Sequence, residues 1–270
     1  MSDAKTRLRE KLNGKGFKKD KTICLVMIVK NEIKVLPRCF DSVKGIISAY
    51  SICDTGSTDG TPEYIRNYWS NLGIPGKVYN DPWKNFGYNR THAVSWGRSQ
   101  NCDYLMLMDA DFVFNLKDPE FRSKMPDHVD GFLIKYDGEL DYRQNLLVSS
   151  KKRWRYVGVT HEYIEMIRDT NKKGESPQVT EPFDGFTFFH AADGGNRSDK
   201  FTRDKKLLLA GVEEDPKNGR YWFYLAQTCF DLGHYEEAIK YYKKRIELPG
   251  FQEEDYFARY RMGQAKYKAG

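Results

Sequence analysis

Residues 22–29, Thr-Ile-Cys-Leu-Val-Met-Ile-Val, form an unbroken apolar run between Lys21 and Lys30. A run of this length, rich in β-branched residues and charged at both ends, predicts a strand buried on both faces of a parallel sheet. A helix is expected at about 33–44, with Pro37 tolerated in its first turn. A second strand follows at about 46–53. Gly56-Ser57-Thr58-Asp59-Gly60 reads as a turn, and Thr61-Pro62-Glu63 opens the next helix with a cap and a helix-compatible proline. A short strand at about 76–80 and a helix at about 86–99 lead to a second apolar run, Tyr104-Leu105-Met106-Leu107-Met108, read as a strand ending at Asp109. Alternating β and α segments predict an α/β fold with a doubly wound parallel sheet. Right-handed crossovers then line the strand C-termini along one crevice.

The pattern changes after residue 130. Short strand-like pieces at 131–136, 145–149, 155–166 and 186–190 alternate with polar turns, and 169–182 reads as a surface loop. This half is expected to lay a mixed or antiparallel sheet beside the parallel one. From about 199 the chain reads as helical. Trp222, Leu225, Ala226, Gly233, Tyr235, Ala238 and Tyr242 have the spacing of a tetratricopeptide repeat, with Pro216 closing a preceding unit. Leu225-Ala226 is echoed by Met262-Gly263, and Gly233 by Gly270, both 37 residues on. The alternative is a plain helical hairpin. The final helix lacks a partner for its apolar face, so the natural chain is expected to continue beyond Gly270. The expected division is a basic flexible leader over 1–21, an α/β domain over 22–198 and helical repeats over 199–270.

The net charge of +6 would suggest a polyanion partner if it were spread over the fold. It is not: residues 1–21 carry +5, which leaves +1 for the rest. Nucleic acid is therefore not an expected partner. The leader reads as a solvated segment, with contact to an anionic membrane surface as the alternative. The chain is 40% hydrophobic, enough for a core, yet no run reaches the roughly 18 residues of a membrane span. The five cysteines, Cys24, Cys39, Cys53, Cys102 and Cys229, are odd in number and include no Cys-x-x-Cys pair. They argue against a disulfide framework or zinc site and for a reducing, cytoplasmic setting, peripheral to a membrane at most.

The candidate chemistry clusters at strand ends. Asp109-Ala110-Asp111 closes the second apolar run. Two carboxylates at i and i+2 on extended backbone point to one side, and at a sheet's C-terminal edge they suit a hard divalent cation shared with substrate phosphates. A turn is the simpler reading of such a triplet. Asp54 ends the second strand, where its carboxylate can accept the imide N–H of a uracil or cap the turn before Gly56. Lys30, Asn31 and Glu32 follow the first strand, with helix N-capping as the alternative for Asn31. Arg90 sits on a helix facing the crevice, fit to clamp a base or a diphosphate. Lys200 and Arg203 share a helix face at i and i+3.

Taken together, Met27 through Glu32, Ile52 through Thr61, Asn85-Phe86 with Asn89-Arg90-Thr91, Asp109-Ala110-Asp111, Trp154 through Glu162 and His190 resemble the family 2 glycosyltransferases, over roughly residues 22–195. The subgroup with Lys-Asn-Glu, Asp-Thr-Gly-Ser and His-Glu motifs often carries tetratricopeptide repeats. The resemblance implies a GT-A fold and a metal-dependent, inverting transfer from a nucleotide sugar, a UDP-sugar in this reading, with Mn2+ or Mg2+ as cofactor. It places Lys30, Asn31, Glu32, Asp54, Arg90, Asp109 and Ala110 at the nucleotide, and Lys200 and Arg203 at its phosphates. It puts Asp109 near the ribose and metal-bound water, Asp111 directly on the metal, and His190 in the metal shell. Glu162 is the candidate base, His161 the alternative, and Asp137 and Asp141 are outsiders. Two positions depart from the pattern: Thr55 replaces a commoner Asp, and Phe112 stands where relatives often have Glu. The acceptor is expected to be a glycan, a lipid-linked sugar or a protein, and the repeats to recruit a partner or self-associate. The rival readings are a degenerate transferase acting as a scaffold, and a nucleotidyltransferase, which would need a glycine-rich loop where Lys30-Asn31-Glu32 stands.

Overall fold

The computed structural model describes residues 20–138, 141–168, 177–194 and 199–270. Most of the basic leader therefore lies outside the described residues, as do 169–176 of the expected surface loop. Strand β1 (Ile23–Val29) lies inside the sheet, and its apolar run is buried almost throughout. It pairs in parallel with β2 (Ala49–Asp54) on one side and β4 (Tyr104–Leu107) on the other. β3 (Gly76–Asn80) extends the parallel half beyond β2. The mixed half continues from β4 through antiparallel β7 (Arg143–Ser149) and β6 (Gly131–Tyr136). β10 (Thr180–His190) is parallel to β6, and β5 (Phe112–Leu116) closes the edge antiparallel to β10. The eight-stranded order is β3-β2-β1-β4-β7-β6-β10-β5. A separate hairpin joins β8 (Trp154–Val157) to β9 (Tyr163–Met166).

Helices α1 (Leu36–Val43), α2 (Thr61–Asn71) and α3 (Phe86–Arg98) connect the parallel strands, and α4 (Phe121–Lys124) is a single turn. Helix α1 buries Leu36, Cys39, Phe40 and Val43, spaced i, i+3, i+4 and i+7. Leu36, Phe40 and Val43 each contribute about 1.5–3 kcal/mol by leaving water. Asn85 caps α3, its side-chain oxygen accepting from the Tyr88 N–H at 2.8 Å.

Several sequence expectations are corrected here. The strand before the acidic triplet ends at Leu107, and Asp109-Ala110-Asp111 lies in a turn closed by the Phe112 N–H on the Asp109 carbonyl at 3.1 Å. The two carboxylates therefore do not share one side of an extended backbone. The expected element at 155–166 is two strands, because Gly158 (φ 117°) and His161 (φ 51°) reverse the chain. β5 was not expected, and β10 begins inside the expected loop. Asn31 does not cap α1, which starts five residues later at Leu36; it sits at φ 57° and accepts from the Thr58 N–H at 2.8 Å.

The C-terminal segment is four helices: α5 (Lys200–Glu214), α6 (Gly219–Asp231), α7 (Tyr235–Ile246) and α8 (Gln252–Ala269). Helices α6 and α7 form a hairpin around Gly233 (φ 77°), with Leu225, Ala226, Ala238 and Tyr242 fully buried. Their core also takes in Val159, which the β8–β9 loop inserts among Leu208, Val212 and the α6 side chains. All five cysteines are free and buried. No helix among the described residues is long and apolar enough to cross a membrane.

Candidate active site

The C-terminal ends of β1, β2 and β4 carry the polar loops the sequence singled out. Asp54 is 7% exposed, and its carboxylate accepts from the Gly56 N–H (3.2 Å) and the Ser57 N–H (3.1 Å). The turn-capping alternative is thus present in the structure. Asn31 and Glu32 tie the neighbouring loops together. The Asn31 N–H donates to the Ser57 hydroxyl at 2.8 Å, and the Glu32 N–H to the Thr61 hydroxyl at 2.9 Å. Lys30 is exposed. Asp59 accepts from Thr61 and Ile33. Burial alone would raise its pKa, but these hydrogen bonds outweigh it and the shift is downward.

The acidic triplet divides between two partners. Asp109 turns toward α3, where Arg90 Nη2 donates to its Oδ1 at 2.6 Å. Arg90 Nε donates at 2.7 Å to Glu162 Oε1 in the β8–β9 loop. One guanidinium, 16% exposed, therefore joins the triplet to the candidate base. Burial alone would lower its pKa, but the two carboxylates outweigh it and raise the value. Asp111 turns the other way. It is buried, and its Oδ2 lies 3.2 Å from His190 Nε2 at the end of β10. The register of β5 and β10 sets His190 opposite Phe112, whose ring meets the imidazole edge-on with centroids 5.1 Å apart. Ala110, between the two acids, is buried in the turn.

The chain beyond His190 folds back over Asp111. The Gly194 N–H points at Asp111 Oδ2 from 3.4 Å, and Arg38 of α1 holds Asp193 through two hydrogen bonds of 2.8 and 2.6 Å. A Cβ on Gly194 would come within 3.3 Å of Asp111 Oδ2 and 3.5 Å of Glu32 Oε1, so the glycine leaves room beside two carboxylates. Among the described residues no group of three or more His, Cys, Asp and Glu side chains stands close enough together to hold a metal ion.

A cavity of about 820 Å³ opens in front of Arg90 and Asp109. Glu162, His161, His190 and Lys200 also line it, whereas Lys30, Asn31, Glu32, Asp54 and Arg203 do not. His161 stacks on Tyr224 of α6 with centroids 4.0 Å apart and planes 6° from parallel. Burial, reinforced by Lys200 and Arg220, lowers its pKa against the opposing pull of Asp204, although the residue keeps an exposed edge. The shift favours the neutral imidazole. Asp137 lines the cavity beside Asn115, whereas Asp141 is exposed and faces Lys135 and Arg143. Lys200 lies over the Phe201 ring, and Arg203 stacks on Phe86 while its guanidinium meets Asp204 at 3.2 Å.

Sequence reasoning missed the aromatic lining, Tyr136, Tyr142, Tyr156 and Tyr163, and the contribution of α6 through Arg220 and Tyr224. The spacing of Arg220 and Tyr224 at i and i+4 marks a shared helix face, but nothing in the sequence says what that face meets.

The loop carrying Glu162 is wedged against α3. A Cβ on Gly87 would lie 2.2 Å from the Gly158 carbonyl oxygen, a backbone atom that cannot rotate away. Gly87→Ala is expected to cost about 1–3 kcal/mol as overpacking, or roughly 2–12 °C in Tm for a domain of this size. A thermal melt checks it, and an unchanged Tm would mean that the loop yields freely.

Comparison with known proteins accords with this architecture. Residues 24–156 match the family model described as Glycosyl transferase family 2. The SPbeta prophage-derived glycosyltransferase SunS of Bacillus subtilis is 24% identical over 245 residues, 86% of this chain and 55% of SunS. A TPR repeat-containing protein of Synechococcus elongatus is 32% identical over 150 residues, 53% of this chain and 35% of that protein. The chain thus spans about half the length of SunS and about a third of the Synechococcus protein. Among solved structures, S. aureus TarS superposes with a TM-score of 0.50 at 12% identity, covering 92% of this chain and 53% of TarS, a likeness of fold. The chain therefore carries a glycosyltransferase domain of family 2, built on an α/β, GT-A-like fold.

Proposed function

We propose that this protein is an inverting, metal-dependent glycosyltransferase that moves a sugar from a UDP-sugar to an acceptor hydroxyl. The observation that carries the proposal is the single Arg90 guanidinium holding both Asp109 and Glu162 at one cavity. Donor-side and acceptor-side carboxylates are thereby set against the same space. In this reading the acceptor oxygen attacks the anomeric carbon as the bond to the diphosphate oxygen breaks. Glu162 takes the acceptor proton, and UDP departs from the opposite face. His161, on the same loop, is the alternative base.

Asp111, His190 and Asp109 are the residues that would hold the cation. Carboxylate oxygens suit Mn2+ or Mg2+, the imidazole favours Mn2+ of the two, and the space that Gly194 leaves beside Asp111 favours the fit. A bound divalent cation neutralises the charge that develops on the leaving diphosphate. Asp54 is assigned to the uracil imide, Lys30, Asn31, Glu32 and Ala110 to the nucleotide loops around it, and Lys200 to the phosphates. Arg203 is assigned a lesser share, because Phe86 and Asp204 already engage it. The helical segment is assigned to tetratricopeptide-type partner binding or self-association, and the protein to the cytoplasm.

A panel of nucleotide sugars with and without manganese, read by diphosphate release, tests this reading. Slow hydrolysis of a UDP-sugar that depends on manganese is the expected result. Absence of both hydrolysis and metal-supported UDP binding across the panel would sink it.

A further inference from the structure

The cavity has two aromatic walls from different parts of the chain. On one, Tyr136 and Tyr142 of the β6–β7 hairpin stack with centroids 5.6 Å apart and planes 25° from parallel. On the other, His161 stacks on Tyr224 of helix α6. Tyr142 and Tyr163 are 54% and 45% exposed, so large rings stand open to solvent at this cavity. Apolar rings left exposed around a cavity mark a ligand surface rather than a packing surface. Tyr142 and Tyr224 both line this one cavity. Glu162 and Asp109 line the same cavity.

The helical wall is fixed in place. Arg220 Nη2 donates to the His161 carbonyl at 3.1 Å, while Nη1 pairs with Glu254 of α8 at 2.7 Å. Its guanidinium packs over Tyr224 (4.8 Å) and Tyr163 (5.6 Å). The Arg220 charge is thus largely matched by Glu254 and orders the tyrosines rather than offering itself to an anion. Rings presented to a slot beside a carboxylate and the Gln144 amide suit a ligand with a flat C–H face and a rim of hydroxyls. That is the surface of a pyranose, and it is not that of an acyl chain or a polyanion.

We propose that these two stacks form the acceptor subsite, that the acceptor is a carbohydrate whose pyranose ring lies between Tyr142 and Tyr224, and that helix α6 is therefore part of the transferase site. The proposal rests on the glycosyltransferase reading above.

The test uses the full chain loaded with UDP and Mn2+, and methyl β-glucopyranoside, methyl β-galactopyranoside and methyl N-acetyl-β-glucosaminide as probes in saturation-transfer NMR. At least one pyranoside is expected to bind. Tyr224→Ala and Tyr142→Ala should each weaken it about tenfold or more, and Tyr224→Phe should restore it to within about threefold. UDP affinity, measured alongside, should move less than about threefold in all three variants. Tyr142 is exposed, so its variant keeps the test informative if Tyr224→Ala fails to fold. No binding by any of the three probes, or binding indifferent to both alanine variants, would overturn the subsite while leaving the donor reading intact. Loss of metal-supported UDP binding in the unaltered protein would instead strike the donor reading itself.

Discussion

Replacing Glu162 with Gln is expected to lower sugar transfer by about 10²–10⁴-fold, the range for loss of a general base, with UDP affinity changed less than about threefold. The substitution is close to isosteric. Gln keeps an oxygen that can accept from Arg90 Nε, so the 2.7 Å contact and the seat of the loop should survive. What disappears is the capacity to receive the acceptor proton. The effect should therefore fall on kcat. Steady-state kinetics with a manganese-supported UDP-sugar checks it, with UDP binding measured in parallel. Turnover near that of the unaltered protein would transfer the role to His161, or to Asp137 across the cavity.

Asp111→Asn is expected to cost about 10²–10³-fold in transfer, the scale for loss of one charged group that steadies the leaving diphosphate. Unlike Glu162→Gln, it should also weaken Mn2+ binding, by at least about tenfold, because a neutral amide oxygen is a poorer partner for a hard cation. The neutral side chain still presents an oxygen to the Gly194 N–H and can still hydrogen-bond to His190, so the strap over the site should persist. Electron paramagnetic resonance of added Mn2+ reads the binding directly. Unchanged Mn2+ affinity would remove Asp111 from the metal site whatever happened to the rate. The two variants thus separate the halves of the mechanism, one silent in metal affinity and one not.

The parallel half of the fold was legible because its strands are buried on both faces and leave continuous apolar runs. The run at 22–29 became β1, and the short strand expected at 76–80 has those bounds. The mixed half was harder. β5, Phe-Val-Phe-Asn-Leu, is a half-buried edge strand, short enough to pass for the tail of the acidic turn. The 155–166 stretch hid its reversal because His161, not only Gly158, takes a left-handed conformation, which a side-chain pattern does not announce. The acidic triplet was found, but its geometry was not. Extended backbone would have aimed both carboxylates one way, whereas the turn sends Asp109 to Arg90 and Asp111 to His190. Arg90 and Glu162 were singled out separately, yet their shared contact spans 72 residues, which periodicity cannot report. The aromatic walls escaped for the same reason, since Tyr224 reaches the cavity only through the docking of α6.

The insertion of Val159 into the helical core bears on how the protein is made. The triplet and Arg90 precede Glu162 in the chain, so they leave the ribosome before it. Glu162 emerges later, on a loop whose apolar tip has nothing to pack on until α5 and α6 follow. At about 5–20 residues per second, the stretch from Glu162 to Tyr224 takes several seconds to synthesise. Throughout that interval the nascent chain lacks the helices that seat the loop of Glu162, the proposed base. On the proposed mechanism the base is therefore seated late, by a helical segment that lies outside the residues matching the transferase family.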